Sequence, residues 1–198
     1  MSIARSAILI SVLSVSPWCI TLVQRADAQV VAGDVFADGK DGAKVHVASG
    51  FVCPESIGLF QRDAVGESDP ETHTDFCAYW ALNGAYGTIR ILPLTGDYDA
   101  KASLAREFAE QEQTGGKMIA ESSVGMKPAA GPPFAVYTRS YETARLEDYH
   151  YRVLFSGAAV KTWAVESVIE FADPRDAALE SDFLRAVYDD AASDLAGK

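Results

Sequence analysis

The feature that most restricts this chain is an alternation running from Tyr149 to Phe171, followed at once by a change of period. Tyr149, Tyr151, Val153 and Phe155 alternate with His150, Arg152 and Leu154, the period-2 spacing of a strand with one buried face. In the next run Trp163, Val165, Ile169 and Phe171 fall on one side, and Thr162, Ala164, Glu166, Val168 and Glu170 on the other. Ser156-Gly157-Ala158-Ala159 reads as the hairpin connection, with Gly157 free to take a positive φ. Asp173-Pro174 then signals a helix start: the Asp side chain caps free N–H groups, and Pro is tolerated at the first helical position. Leu179, Phe183, Leu184, Val187, Tyr188 and Ala191 recur at helical spacing and make an apolar stripe that needs cover. Laying that helix across the apolar face of the hairpin would bury Trp163 between them. The expected class is α+β, with an antiparallel sheet.

The N-terminus reads as an export signal. Arg5 precedes an apolar run of 17 residues from Ala7 to Val23, and Ala26-Asp27-Ala28 supplies a small-x-small cleavage site. This predicts a signal peptide over 1–28 and a single α+β domain over 29–198, its core at about 45–192. A helix of that run would reach about 25 Å, short for a membrane span and interrupted by Pro17, so no stable membrane anchor is expected after cleavage. Cys19 raises lipidation as an alternative, but the bulky Trp18 before it does not fit the small residue such processing needs. Removing two arginines, Arg5 and Arg25, with one acid, Asp27, takes the formal net charge from −11 to −12. An acidic chain without a compact Lys/Arg cluster repels phosphate backbones, so nucleic acid is not an expected partner.

Cleavage would also leave two cysteines, Cys53 and Cys77, 24 residues apart. An even pair in an oxidising compartment is most simply a disulfide, which fits a periplasmic or secreted protein. The alternatives are two buried free thiols or a metal pair, for which His73 is the only other ligand nearby.

Between these landmarks, Asp38-Gly39-Lys40-Asp41-Gly42 marks a surface turn; as a calcium loop it fails, since Phe36 occupies a ligand position and no acid closes the loop. Ile57 to Val65 reads as a strand, Gly66 to Thr74 as a polar loop, and Phe76 to Leu82 as an alternating strand turned by Asn83-Gly84 into Tyr86 to Leu92. Asp97 and Asp99 are cap candidates for a helix to Gln113, with Ala100, Leu104, Ala105 and Phe108 inward and Gly115-Gly116 ending it. Met118 to Glu121 reads as a short strand, 127–133 as a Pro/Gly loop, and Phe134 to Glu142 as a strand.

This order, and above all the last strand pair with its Asp-Pro-capped helix, resembles the PsbP-like α/β sandwich, an antiparallel sheet flanked by two helices. Gly50-Phe51-Val52-Cys53-Pro54 with Cys77-Ala78-Tyr79 is similar to small exported bacterial proteins of unknown function. The likeness covers about residues 45–192 and implies an accessory or binding protein. It carries over no functional residue.

Motifs for chemistry are scarce. The chain has no Gly-x-Ser-x-Gly elbow, phosphate loop or dinucleotide fingerprint, so no catalytic residue and no cofactor is assigned. The one candidate cluster is Glu71-Thr72-His73-Thr74-Asp75: in an extended segment, residues 71, 73 and 75 project to one side, and Glu71, His73 and Asp75 offer ligands for a divalent metal. Their other reading is a solvated acidic loop. His46 and His150 each read as incidental, and Glu107, Glu110 and Glu112 as the solvated face of the first helix. Tyr137, Tyr141, Tyr149, Tyr151 and Trp163 are either sheet packing or the lining of a ligand groove. The function expected is an exported, non-catalytic binding or accessory protein whose partner is another exported protein or a small ligand. The alternative is an enzyme, metal-dependent or otherwise, assembled around Glu71, His73 and Asp75.

Overall fold

The computed structural model describes residues 34–195 apart from 83, 130, 146–148 and 173–176. The expected signal peptide and the Asp173-Pro174 helix start lie outside the described residues. The strands are β1 (Phe36–Asp38), β2 (Lys44–His46), β3 (Val52–Cys53), β4 (Ser56–Ile57), β5 (Phe60–Asp69), β6 (Thr74–Trp80), β7 (Tyr86–Pro93), β8 (Lys117–Met126), β9 (Phe134–Arg145), β10 (Tyr149–Val160) and β11 (Trp163–Ala172). The helices are α1 (Ala100–Ser103), α2 (Ala105–Gln113) and α3 (Ala177–Asp194). β1 to β3 form a small sheet, and the other eight strands form a second sheet in the order β4-β5-β6-β7-β11-β10-β9-β8, with every pair antiparallel. The α+β class with an antiparallel sheet is therefore correct, with strand predominating.

The closing hairpin turns at Lys161-Thr162, where Lys161 takes φ 59° and Val160 pairs with Trp163. Ser156 to Ala159 is not the connection but part of β10. Its small residues serve close packing: a Cβ added at Gly157 would lie 2.5 Å from Tyr98 Oη and 3.0 Å from Ala100 Cβ, so glycine here lets α1 approach the sheet. The register has a second consequence. Val153 pairs with Glu170, Phe155 with Val168 and Gly157 with Glu166, and directly paired residues share a face. The two alternations that looked like one apolar surface thus lie on opposite faces.

Both faces are covered. On one, Leu154, Ala158, Val160, Val165 and Ile169 pack with Leu179, Phe183, Val187 and Tyr188 of α3, together with Phe36, Phe51 and Cys53 of the small-sheet region. Each fully buried large side chain in such a layer is worth about 1.5–3 kcal/mol. On the other face Tyr141, Tyr151, Val153 and Phe155 pack with Leu104 and Phe108. Asp99 caps α1, accepting from the N–H groups of Lys101 and Ala102, and Gly115, at φ 86°, follows the end of α2. Ala105, expected inward, is exposed because the chain breaks helical register at Leu104. β5 runs to Asp69, through most of the expected polar loop, and β8 is a ten-residue edge strand instead of a short one.

A charged cluster fastens α1 and α2 to the sheet. Glu166, 1% exposed, accepts from Tyr98 Oη at 2.9 Å and Ser103 Oγ at 2.5 Å and pairs with Arg90 Nη2 at 2.8 Å. Arg90 also donates to Glu107. Burial works to raise the Glu107 carboxyl, and the Arg90 guanidinium more than offsets it, so the group sits below its ordinary range. Glu107 is therefore a clasp and not part of a solvated face. Glu112 also has a sheet partner, since it accepts from Tyr141 Oη at 3.1 Å.

Candidate functional site

The small sheet meets the large one around His46. The chain reverses over 46–51, where the His46 N–H donates to the Phe51 carbonyl and Gly50 N–H to the His46 carbonyl, with Gly50 at φ 79°. This reversal puts Ser49 beside the His46 ring. Ser49 Oγ lies 2.6 Å from His46 Nδ1, and the Ser49 N–H donates to the same nitrogen at 3.3 Å. Nδ1 is therefore an acceptor, which leaves Nε2–H to donate to Asp75 Oδ2 at 2.7 Å. His46, Ser49 and Asp75 are 1%, 4% and 5% exposed. Phe36 stands 5.3 Å from the imidazole, and Trp163 meets it edge-on at 5.4 Å. The nearby Cys53–Cys77 disulfide joins β3 to β6, so the two sheets are held by a covalent and a polar link.

Ser49, His46 and Asp75 have the residue types of a hydrolase triad, but not its working arrangement. A serine nucleophile must face its substrate, whereas Ser49 Oγ is enclosed and already accepts the Phe51 N–H at 3.0 Å. The chain of bonds orients Asp75 and ties the sheets together.

Beside this clasp lies a cavity of about 470 Å³, lined by Asp34, Val35, His46, Val47, Ala48, Glu67, His73, Asp75, Pro93 and Trp163. That volume suits a small molecule. Its chemistry is uneven: the lining combines the apolar Val35, Val47, Pro93 and Trp163 with the acidic Asp34, Glu67 and Asp75, and among the described residues no Lys or Arg belongs to it. Glu67 is paired directly across from Asp75 in the β5–β6 ladder, an arrangement of like charges that disfavours itself. Asp75 Oδ1 is enclosed and, among the described residues, has no hydrogen-bond partner. An adjoining hollow of about 500 Å³ shares Asp34 and Val35 with this one, but there Lys44 is already paired with Asp38.

Of the sequence candidates, His73 and Asp75 reach this cavity and Glu71 does not belong to its lining. The segment 70–73 is a turn, with His73 at φ 53°, so 71, 73 and 75 do not project together as an extended strand would require. Glu71 and His73 are exposed while Asp75 is buried. Among the described residues, no group of three or more His, Cys, Asp or Glu side chains gathers in a metal-holding arrangement. Trp163 lies on the face of Val165 as expected, but it is half-buried at the hairpin end, where His46 covers it. The aromatic group divides: Tyr137, Tyr141 and Tyr151 belong to the layer beneath α2, Trp163 to the opposite face, and the Tyr149 and His150 side chains lie outside the described residues. Sequence reading missed His46 because its partner is 29 residues away; the only local hint was Ser49 three residues on.

The chain matches no protein-family model and no curated protein sequence.

Proposed function

We propose that this chain is an exported, non-catalytic binding protein of the PsbP-like sandwich type, which holds a small ligand in the cavity walled by Trp163 and Asp75. The observation that carries the reading is the cavity itself: a half-buried indole and a buried carboxylate on one concave surface, both fixed by His46. An apolar body with a few placed polar groups is what small-molecule sites offer. Export is supported by the disulfide; among the described residues no helix is long and apolar enough to cross a membrane. The antiparallel sheet with helices on both faces supports the sandwich likeness.

The test is a ligand-observed NMR screen of small molecules on the disulfide-intact protein, followed by mapping of hits. Hits should shift the Trp163 indole resonance and lose binding in Trp163→Ala. Hits that map elsewhere, or turnover of a hit by the purified protein, would overturn the proposal.

A further inference from the structure

We infer that β8 pairs with β8 of a second copy of this chain, joining two large sheets edge to edge. The inference is independent of the cavity. β8 is the last strand of the large sheet, ten residues long, and among the described residues no further strand is hydrogen-bonded to its outer side. An edge of that length presents a row of open N–H and C=O groups. The opposite edge of the same sheet is guarded: β4 has two residues, and β5 behind it carries two register shifts together with Asp63, Glu67 and Asp69. From Ala120 to Met126, β8 has no shift, no proline and a single charge, Glu121. The strand also carries Met118, Ile119 and Val124, three of the eight large apolar side chains exposed among the described residues, so apolar exposure gathers where the backbone is open.

Charge complementarity selects a second copy as the added strand. Directly paired residues of antiparallel neighbours share a face, so a twofold axis between two copies of β8 passes beside one residue that faces itself. Glu121 and Lys127 share a face by strand alternation. Lys117 lies on the other one, since it pairs with Glu142 while Glu121 pairs with Arg139, an odd number of residues away. Centred on Glu121, the pairing would set that carboxylate against itself. Centred on Val124, it opposes Glu121 to Lys127 at both ends, Ser122 to Met126 and Ser123 to Gly125, and Val124 meets its own copy. Glu121 is held in position by Lys101, Tyr137 and Arg139. Lys127 is exposed and has no ion-pair partner among the described residues. Exposed pairs of this kind add little affinity but choose between registers. The paired stretch also has natural ends: Pro128 lacks the N–H that would continue it, and the shift between Met118 and Ala120 interrupts the other end. On a chain of net charge −11, an edge bearing Lys117 and Lys127 against Glu121 is a place where two copies can approach.

Sedimentation velocity of the disulfide-intact protein over a concentration series tests the pairing. A stretch from Glu121 to Lys127 buries less than a standard interface, so the dimer is expected to form at on the order of 100 µM and to dissociate on dilution. Val124→Lys, at an exposed position, sets two ammonium groups against each other at the axis and should weaken association at least about tenfold with the melting temperature unchanged. The register is read by cross-linking. Val124→Cys should form an intermolecular disulfide under mild oxidation, because residue 124 meets its own copy within the reach of such a bond. Ser122→Cys, exposed on the same face, should not, because its two copies stand about 13 Å apart along the strands. A species of monomer mass up to about 1 mM, association of Val124→Lys as tight as that of the parent, or cross-linking of Ser122→Cys as fast as that of Val124→Cys would each overturn the inference. Should Val124→Lys prove less stable than the parent, the two cysteine variants decide the same question.

Discussion

His46 Nε2 donates to Asp75 Oδ2 at 2.7 Å, and this bond joins β2 of the small sheet to β6 of the large one. Because both groups are buried, removing one leaves the other short of a partner in a medium that solvates it poorly. His46→Ala is therefore expected to destabilise the protein by about 3 kcal/mol, and Asp75→Asn by clearly less, since the amide oxygen still accepts. Chemical denaturation of the two variants checks the order; equal losses would contradict it.

Gly157 makes a sharper steric case. Its hydrogen faces Tyr98 Oη, which is held in place by its bond to Glu166. Gly157→Ala should cost about 1–3 kcal/mol through overpacking. Adding Tyr98→Phe to that variant should cost less than the same change in the parent, because it removes the atom the methyl would strike. A double-mutant cycle on melting free energies reads the coupling, and additive effects would show that α1 moves instead.

Asp190 sets a pH dependence. Burial, with the Asp194 and Asp189 carboxylates beside it, pushes its carboxyl up to about 6, and the C-terminal half of α3 adds an unfavourable dipole. A folded-state value above the ordinary 3.8 means that the folded chain holds this proton more tightly than the unfolded one. The stabilisation is complete below about pH 4 and is lost as pH rises through about 6. Asp190→Asn should thus match the parent near pH 3.5 and exceed it at pH 8 by about 1 kcal/mol, discounted for the group's partial exposure. Melting curves across that range test it; a gap that is constant with pH would refute the assignment.

The Cys53–Cys77 disulfide closes a loop of 24 residues in sequence separation. Reduction is expected to cost about 3 kcal/mol in the chain-entropy account. Intact mass should fall two units below the reduced value, and alkylation without reductant should label neither cysteine. Labelling of both before reduction would count against the bond.

Trp163→Ala should lower stability by less than the about 3–5 kcal/mol typical of an enclosed aromatic, because one part of the indole borders the cavity. A loss at or above that range, read from denaturant midpoints, would mean that the indole is a core residue and not a wall of the site.

The sequence by itself determined the local elements. Alternation marked most of the strands, Asp99 marked the start of α1, the stripe from Leu179 to Ala191 marked α3, and two cysteines marked their own bond. These signals depend on neighbours a few residues apart, and chain geometry alone relates them. What the tertiary structure decided was which faces look the same way. Tyr151 and Val165 carry identical alternation, yet a two-residue turn at Lys161-Thr162 sends them to opposite sides of the sheet. Glu166 and Glu107 read as solvent-facing until α1 and α2 close over Arg90 and make them a clasp. The candidate site follows the same rule. Asp75 was visible as a carboxylate near His73, but His46, Glu67 and Trp163 reach it only through sheet pairing and packing between strands far apart in sequence, a relation that no local pattern encodes.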